Sequence, residues 1–267
     1  GIYRDSSQVN VLDFPTPGNA NELSTNITTG TRRLTNVLNI TFARSHGEDT
    51  IRYELHGKPV TNKSMATSKN LNIASTSSNH IMNIPTTPLT GKPQLEYFIW
   101  KQPTYSYPSG QVITYRTFNN NVPTSKAYVS SMLNYPPGMN DFMIVALTSD
   151  SLNLFDYNHG IYVPGVVFDS TPWTGFWYPG NFHGKGEKDC NIECFKNDSL
   201  LCNFQARMRP HGGGSACLPQ KSLKIFARKE YGTEKVEANL FDDPNLPYIK
   251  RFILRNGGND FDGSHFK

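Results

Sequence analysis

Long apolar runs are missing from this 267-residue sequence. None approaches the roughly 18 residues that a membrane-spanning helix needs, so no membrane span is expected. Hydrophobic residues make up 37% and mean hydropathy is −0.50, which leaves a modest core for one large domain or two ordinary ones. A dense basic stripe is missing too. Net charge is +4, divided unevenly. Residues 1–133 carry 12 Lys and Arg against 7 Asp and Glu, and residues 134–267 carry 14 against 15. No nucleic-acid partner is expected from that distribution. The opening GIYRDSS has neither an initiator Met nor a signal peptide. It reads as mid-protein, left by processing or excision.

Cysteine is scarce and confined. Cys190, Cys194, Cys202 and Cys217 occupy one short stretch, separated by 3, 7 and 14 residues. A zinc site wants paired thiolates at shorter spacing, so the pattern fits a metal finger poorly. Two disulfides stapling a loop fit better, with the pairing open. No metal cluster is indicated, because Asp150, Asp156, Asp169 and Asp189 are scattered through loops. No Ser-His-Asp or Cys-His constellation is indicated either.

What is present is β pattern. Ser, Thr and Asn make up 46 of the first 133 residues, with strand-like alternations between turn signals. The strands expected there include NVLNITFAR (36–44), TIRYELHG (50–57), LEYFIWK (95–101) and VITYRTF (112–118). HGKP (56–59), YPSG (107–110) and NNNVP (119–123) mark turns. About seven short strands in about 100 residues is the pattern of an immunoglobulin-like sandwich. Residues 1–30 read as a linker or the end of a preceding domain, and 31–133 as the sandwich. NYPPGMND (134–141) is the expected boundary to a second domain over 134–267. There FMIVALTS (142–149) reads as a buried strand, 151–165 as a polar helical or turn-like stretch followed by a short strand, and 166–203 as loop-like. Strands are expected over 203–211, 222–232 and 248–261, with Phe252 and Leu254 on one face and Ile253 on the other.

Four N-x-S/T sequons stand at Asn26, Asn39, Asn62 and Asn197. They fit an exported surface protein, and chance in an Asn- and Thr-rich chain produces the same pattern. Trp100, Tyr105 and Tyr107 near a turn offer a sugar platform or, more simply, sheet packing.

The stretch HGGGSACLPQKSLKIFARKEYG (211–232) carries the chemistry. Gly212, Gly213 and Gly214 free the backbone to converge on a phosphate. Lys221 follows at the start of an alternating run, and Arg207 and Arg209 alternate on the strand before. A kinase site wants such a lysine. HGGGS matches neither phosphate-loop signature, so spacing alone favours a hairpin with glycines at positive φ. His211 alone reads as a turn residue. Asp260 and Asp262 are of the type that binds magnesium, without supporting spacing.

RMRPHGGGSACLPQKSLKIFARKEYG (207–232) resembles the Arg-x-His-Gly-Gly … Pro-Gln-Lys-Ser stretch of CotH-family proteins, the spore-coat-type atypical kinases. IVALTSDSLNLFDYNHGIYVPG (144–165) and FILRNGGNDF (252–261) are similar to segments flanking it in that family, in the same order. IRYELHGKPVTNKSMATS (51–68) with VITYRTFNNNVPTS (112–125) looks like the chitobiase C-terminal-type sandwich, with His56 in place of the usual Asp. FPTPGNAN (14–21) is similar to the end of a lamin-tail-type domain. The resemblance implies a mainly β chain: an immunoglobulin-like β-sandwich, then an α+β, antiparallel-sheet portion of a CotH kinase-like domain. It implies a fragment of an exported, multidomain surface protein, extracellular or at the cell surface. The parent would phosphorylate extracellular Ser/Thr with ATP and magnesium. Nucleotide contacts fall to Lys221, Arg209 and the Gly212–Gly214 turn, and Asn256 and Asp260 match positions of unassigned role. Ala216 and Cys217 stand where the family usually has Arg. The family's catalytic acidic segments lie beyond this stretch, so this chain alone is expected to be inactive and to need no cofactor. The other expectation is a structural or adhesion protein keeping the fold without the chemistry. Its partners would be an extracellular protein or surface ligand, the rest of its own polypeptide or neighbouring subunits.

Overall fold

Strand formation follows the alternating β-branched and aromatic runs, and several of the described turns hold residues at positive φ. The computed structural model describes residues 23–25, 37–44, 49–67, 70–74, 109–134, 142–172 and 178–256. Within them the chain is mainly β, and its strands pair antiparallel. Contacts divide it into two units. One comprises Gly1–His80, Ser106–Thr148 and Glu193–Leu201, the other Ile81–Tyr105, Ser149–Ile192 and Cys202–Lys267.

In the first unit, β1 (Leu23–Thr25), β2 (Val37–Arg44) and β5 (Asn70–Ala74) form one sheet in the order β1-β2-β5. A second sheet pairs β3 (Thr50–Leu55) with β4 (Met65–Thr67) and with the long β6 (Ser109–Asn119). β6 also pairs β7 (Val122–Pro123) and β8 (Tyr128–Asn134). Ile40 and Phe42 of β2 meet Ile51, Ile113, Tyr115 and Met132 of the second sheet in one core. Burying such side chains stabilises by about 1.5–3 kcal/mol each. Two turns read from the sequence are in place. His56 and Gly57 have φ of 62° and 71°, and Asn120 and Asn121 have 47° and 66°. The Asn pair closes the β6–β7 hairpin, as Asn tolerance of the left-handed region permits. LEYFIWK (95–101), Trp100, Tyr105 and Tyr107 lie outside the described residues.

The remaining sheet has the order β13-β12-β11-β10-β9. Its strands are β9 (Ile144–Thr148), β10 (Lys188–Lys196), β11 (Ser199–His211), β12 (Ser222–Ala227) and β13 (Arg251–Leu254). On β13 Phe252 and Leu254 are half-buried while Arg251 and Ile253 are exposed, as the alternation predicts. Two short helices precede β10: α1 (Ser151–Phe155) and α2 (Gly165–Ser170). Asp150 caps α1, its carboxylate accepting from the Leu152 N–H at 2.9 Å. The loop expected over 166–203 is corrected. It holds α2, β10 and the start of β11. β10 reads KDCNIECFK and is buried on both faces from Cys190 to Phe195. Asp189, Asn191 and Glu193 disguise it, because a strand buried on both faces has no polar/apolar alternation to detect. Asn191 is partnered by Asn203, its Nδ2 donating at 3.0 Å. Glu193 accepts the Ser131 N–H at 2.8 Å within the first unit.

Candidate functional site: the glycine turn and the basic sheet face

β11 and β12 pair from Ala206↔Ala227 to His211↔Ser222, so Gly212–Lys221 is the connection between neighbouring strands. The topology is that of a hairpin, with a longer and more structured loop than the spacing suggested. A 3-10 turn spans Gly214–Cys217, with Ala216 N–H bonded to Gly213 O at 3.1 Å and Leu218 N–H to Ser215 O at 3.3 Å. Gly212 sits at φ 119°, and a Cβ there would lie 2.4 Å from Ser215 Oγ. Glycine is therefore required at the first of the three positions.

Lys221 lies on the inner side of this turn. Its side chain is buried, with 4% of the residue exposed. Nζ donates to Ala216 O and to Leu218 O, each at 2.9 Å. It stands 4.2 Å from the Phe182 ring centroid and 5.6 Å from that of Tyr162. Phe168, Tyr178, Phe182, Ala216 and Cys217 form the apolar cluster beneath the turn. Burial disfavours the charged form and brings the Lys221 pKa down to about 7, against a smaller opposing pull from Cys217. A neutral amine keeps two N–H bonds, one for each carbonyl, so both protonation states can hold the turn. Chemically the group closes the loop from within.

Arg209 stands elsewhere. It pairs with Lys224 in the β11–β12 register, and its guanidinium carbon lies 5.4 Å from the Phe226 ring centroid. Strand alternation places Lys224 and Phe226 on one face and Leu223 and Ile225 on the other. Lys221 has the parity of the second pair. The structure therefore separates the two cations that the sequence assigned to one phosphate. Gly212, Gly213 and Gly214 are exposed, as is His211. Arg207 is committed to Asp189 at 3.3 Å and Glu230 at 3.0 Å, and its Nε donates to the Tyr231 hydroxyl at 2.8 Å. Tyr231 in turn donates to Asp189, and burial together with that carboxylate pushes its pKa up.

The scattered acids have structural work. Asp156 accepts from the N–H groups of Asn158 and His159 at 2.8 and 3.0 Å, and Asp169 accepts the Tyr157 hydroxyl. Asn256 is tied to the start of β12. Its N–H donates to Ser222 Oγ at 3.1 Å and its Nδ2 to Gln220 O at 2.6 Å. Among the described residues no three His, Cys, Asp or Glu side chains converge as a metal site. Asp260 and Asp262 lie outside the described residues.

The structure shows none of the expected disulfides: no disulfide joins Cys190, Cys194, Cys202 or Cys217. Cys190 and Cys194 share β10, four residues apart. At about 3.3 Å per residue their Cα atoms are about 13 Å apart, beyond the roughly 7 Å a disulfide spans. Cys217 donates to Gly214 O at 2.8 Å, and burial pushes its pKa up, as it does for Cys190. Of the sequons, Asn62 is exposed in a turn and Asn197 is exposed at φ 52° between β10 and β11. Asn39 lies in β2, and Asn26 falls outside the described residues.

One arrangement was not anticipated. Lys224, Phe226 and Arg228 follow one another at every second position of β12 and its extension, so they share a face. Arg209 at 5.4 Å, Lys224 at 5.5 Å and Arg228 at 4.8 Å all approach the Phe226 ring centroid. Glu187 pairs with Arg228 through both carboxylate oxygens. Arg209 and Lys224 have no carboxylate partner among the described residues. The signal was present in SLKIFARK, where apolar residues and cations interleave at strand period.

Comparison with known protein families, with curated proteins and with solved structures finds no match to this chain.

Proposed function

We propose that this chain is a non-catalytic binding module of an exported surface protein, one that keeps a CotH-like fold without phosphoryl transfer. The observation that carries this reading is the position of Lys221. A phosphate-binding lysine presents its ammonium to the ligand. Here the ammonium is buried, bonded to the carbonyls of its own loop and covered by Phe182. Drawing it out would leave Ala216 O and Leu218 O without a donor, at about 1–3 kcal/mol for each buried orphan. Arg209, the second expected phosphate contact, faces Phe226 on the other side of the strand pair. Ala216 and Cys217, which replace the family's usual Arg, are buried parts of the apolar cluster. The export and surface location rest on the resemblance and the sequons, and the assignment of the first unit to the immunoglobulin-like class rests on the strand pattern and the resemblance.

The exposed glycines favour a second reading, in which the parent is an extracellular kinase. Backbone N–H groups of Gly212–Gly214 near Arg209 would then cradle the phosphates of Mg-ATP. Thermal unfolding of the full chain with Mg-ATP separates the two. The binding-module reading expects an unchanged Tm at millimolar Mg-ATP. Stabilisation of several degrees would overturn it, provided Arg209→Ala abolishes the effect, because a ligand at 100 times its Kd adds about 2.7 kcal/mol.

A further inference from the structure

The second unit contains a cleft that the glycine turn does not use. Its volume is about 690 Å³, and it lies between β12–β13 and the loop leaving β12. Val236 and Ile249 are bridged by N–H···O bonds of 2.8 and 3.0 Å in both directions. The bridge pinches 237–248 into a projecting lip. Phe241, Leu246 and Tyr248 of the lip line the cleft and are 56%, 45% and 44% exposed. Phe226 lines its base.

The charge around this apolar lining has one dominant sign. Arg228, Lys229, Lys250 and Arg251 line the cleft, with Glu234 the opposing charge. Glu187 already neutralises Arg228, and Lys250 has a loose contact to Glu234 at 3.7 Å. Lys229 and Arg251 have no carboxylate partner among the described residues. Arg209 and Lys224 extend the positive region across Phe226. β13 stands at the end of the sheet order, and its outward residues are Arg251 and the 39% exposed Ile253. Cation and apolar group thus alternate along the strand that borders the cleft.

We propose that this cleft is a docking site for an acidic peptide segment of a partner protein, one that interleaves carboxylates with large apolar side chains. Charge complementarity selects an anionic partner. The alternation of Arg251 and Ile253 selects an extended one, since a strand presents successive side chains at that period. Leu246 in the lining and Ile253 on the bordering strand add exposed aliphatic surface that apolar side chains can cover. A lone phosphate would need donors converging on one point, and these cations are spread along a border. The proposal is independent of whether the glycine turn binds ATP. Peptide binding with ATP stabilisation would overturn the function proposed above and leave this site standing.

The test is fluorescence anisotropy of a labelled synthetic peptide of alternating Glu with Leu and Phe, titrated with the full chain. Saturable binding is expected, weakening steeply between 50 and 200 mM salt. The double variant Lys250→Glu/Arg251→Glu should weaken it at least tenfold. Phe241→Ser and Leu246→Ser, both at exposed positions, should each weaken it several-fold at low and high salt alike. Lys63→Glu in the first unit should leave it unchanged, and melting curves check that each variant folds. Absence of saturable binding would overturn the proposal, as would equal affinity for a Gly-Ser peptide or indifference to both sets of variants. Preferential binding of polygalacturonate through the same residues would overturn it in favour of an acidic carbohydrate.

Discussion

Lys221 is where sequence and structure diverge most in meaning. The sequence singled it out as a candidate phosphate contact, beside a bland hairpin reading that spacing alone favoured. Its role was not legible. That depends on Phe182 and Tyr162, which reach it from elsewhere in the chain, and on carbonyls whose direction is set by the 3-10 turn. Lys221→Met keeps the length of the side chain and removes both donors. At pH 7 it should lower unfolding free energy by about 1–3 kcal/mol, measured by urea denaturation, because relief of the buried amine's desolvation offsets part of the cost of two orphaned carbonyls. The pH dependence has a definite sign. The unfolded chain holds this proton up to the ordinary 10.5, whereas the folded chain releases it near 7. Between those values the unfolded state binds more protons, so this group makes the fold more stable as pH rises. From pH 7 to 9 the wild type should gain about 2 kcal/mol relative to Lys221→Met. Groups with raised pKa, such as Tyr231, are common to both proteins and cancel in the difference. An equal pH slope in the two proteins would show that Lys221 is not buried as described.

At the scale of elements, strands with a solvated face were legible and strands without one were not. β13 was read down to the facing of single residues, because Phe252 and Leu254 alternate with exposed neighbours. β10 was lost because both its faces are covered. Of the short helices, α1 falls in a stretch read as helical or turn-like, whereas α2 was missed, since it is held by specific contacts rather than by amphipathic pattern. α2 begins at Gly165, whose φ is 56°. A Cβ there would fall 2.2 Å from Tyr157 O and from Asn181 Nδ2. Asn181 ties this corner together, donating to Tyr157 O at 2.9 Å and accepting from the Val167 N–H at 3.3 Å. Gly165→Ala should therefore cost about 3 kcal/mol or more by denaturant unfolding, through backbone strain and the broken Asn181 contacts together. A cost under about 1 kcal/mol would mean that the corner relaxes freely. The Asn197–Asp198 connection of β10 and β11 makes a smaller and opposite point. Both residues have positive φ, 52° and 61°. Asn197→Gly should be neutral or stabilising, while Asn197→Val should cost about 1–2 kcal/mol.

At the scale of the molecule, the mainly β character was legible from composition and alternation, whereas the state of the cysteines was not. Four cysteines within one stretch satisfy the statistics of a disulfide framework, but bonding is decided by Cα separation and strand geometry, which spacing does not contain. With no disulfide among the four cysteines, a thiol reagent in denaturant should titrate four groups per chain. In the native protein Cys202, the half-buried one, should react first, and a reductant should leave Tm unchanged. The same distance problem explains why two cations close in sequence, Arg209 and Lys221, were assigned to one ligand. The central claim at this scale is that the glycine turn is closed by its own lysine and that the chain binds without transferring phosphate. The most direct measurement is the Lys221 Nζ titration by NMR with selectively labelled lysine, with and without saturating Mg-ATP. The expected result is a midpoint near 7 that Mg-ATP leaves in place. A midpoint that rises by a unit or more with Mg-ATP would put a phosphate beside the ammonium and contradict the account.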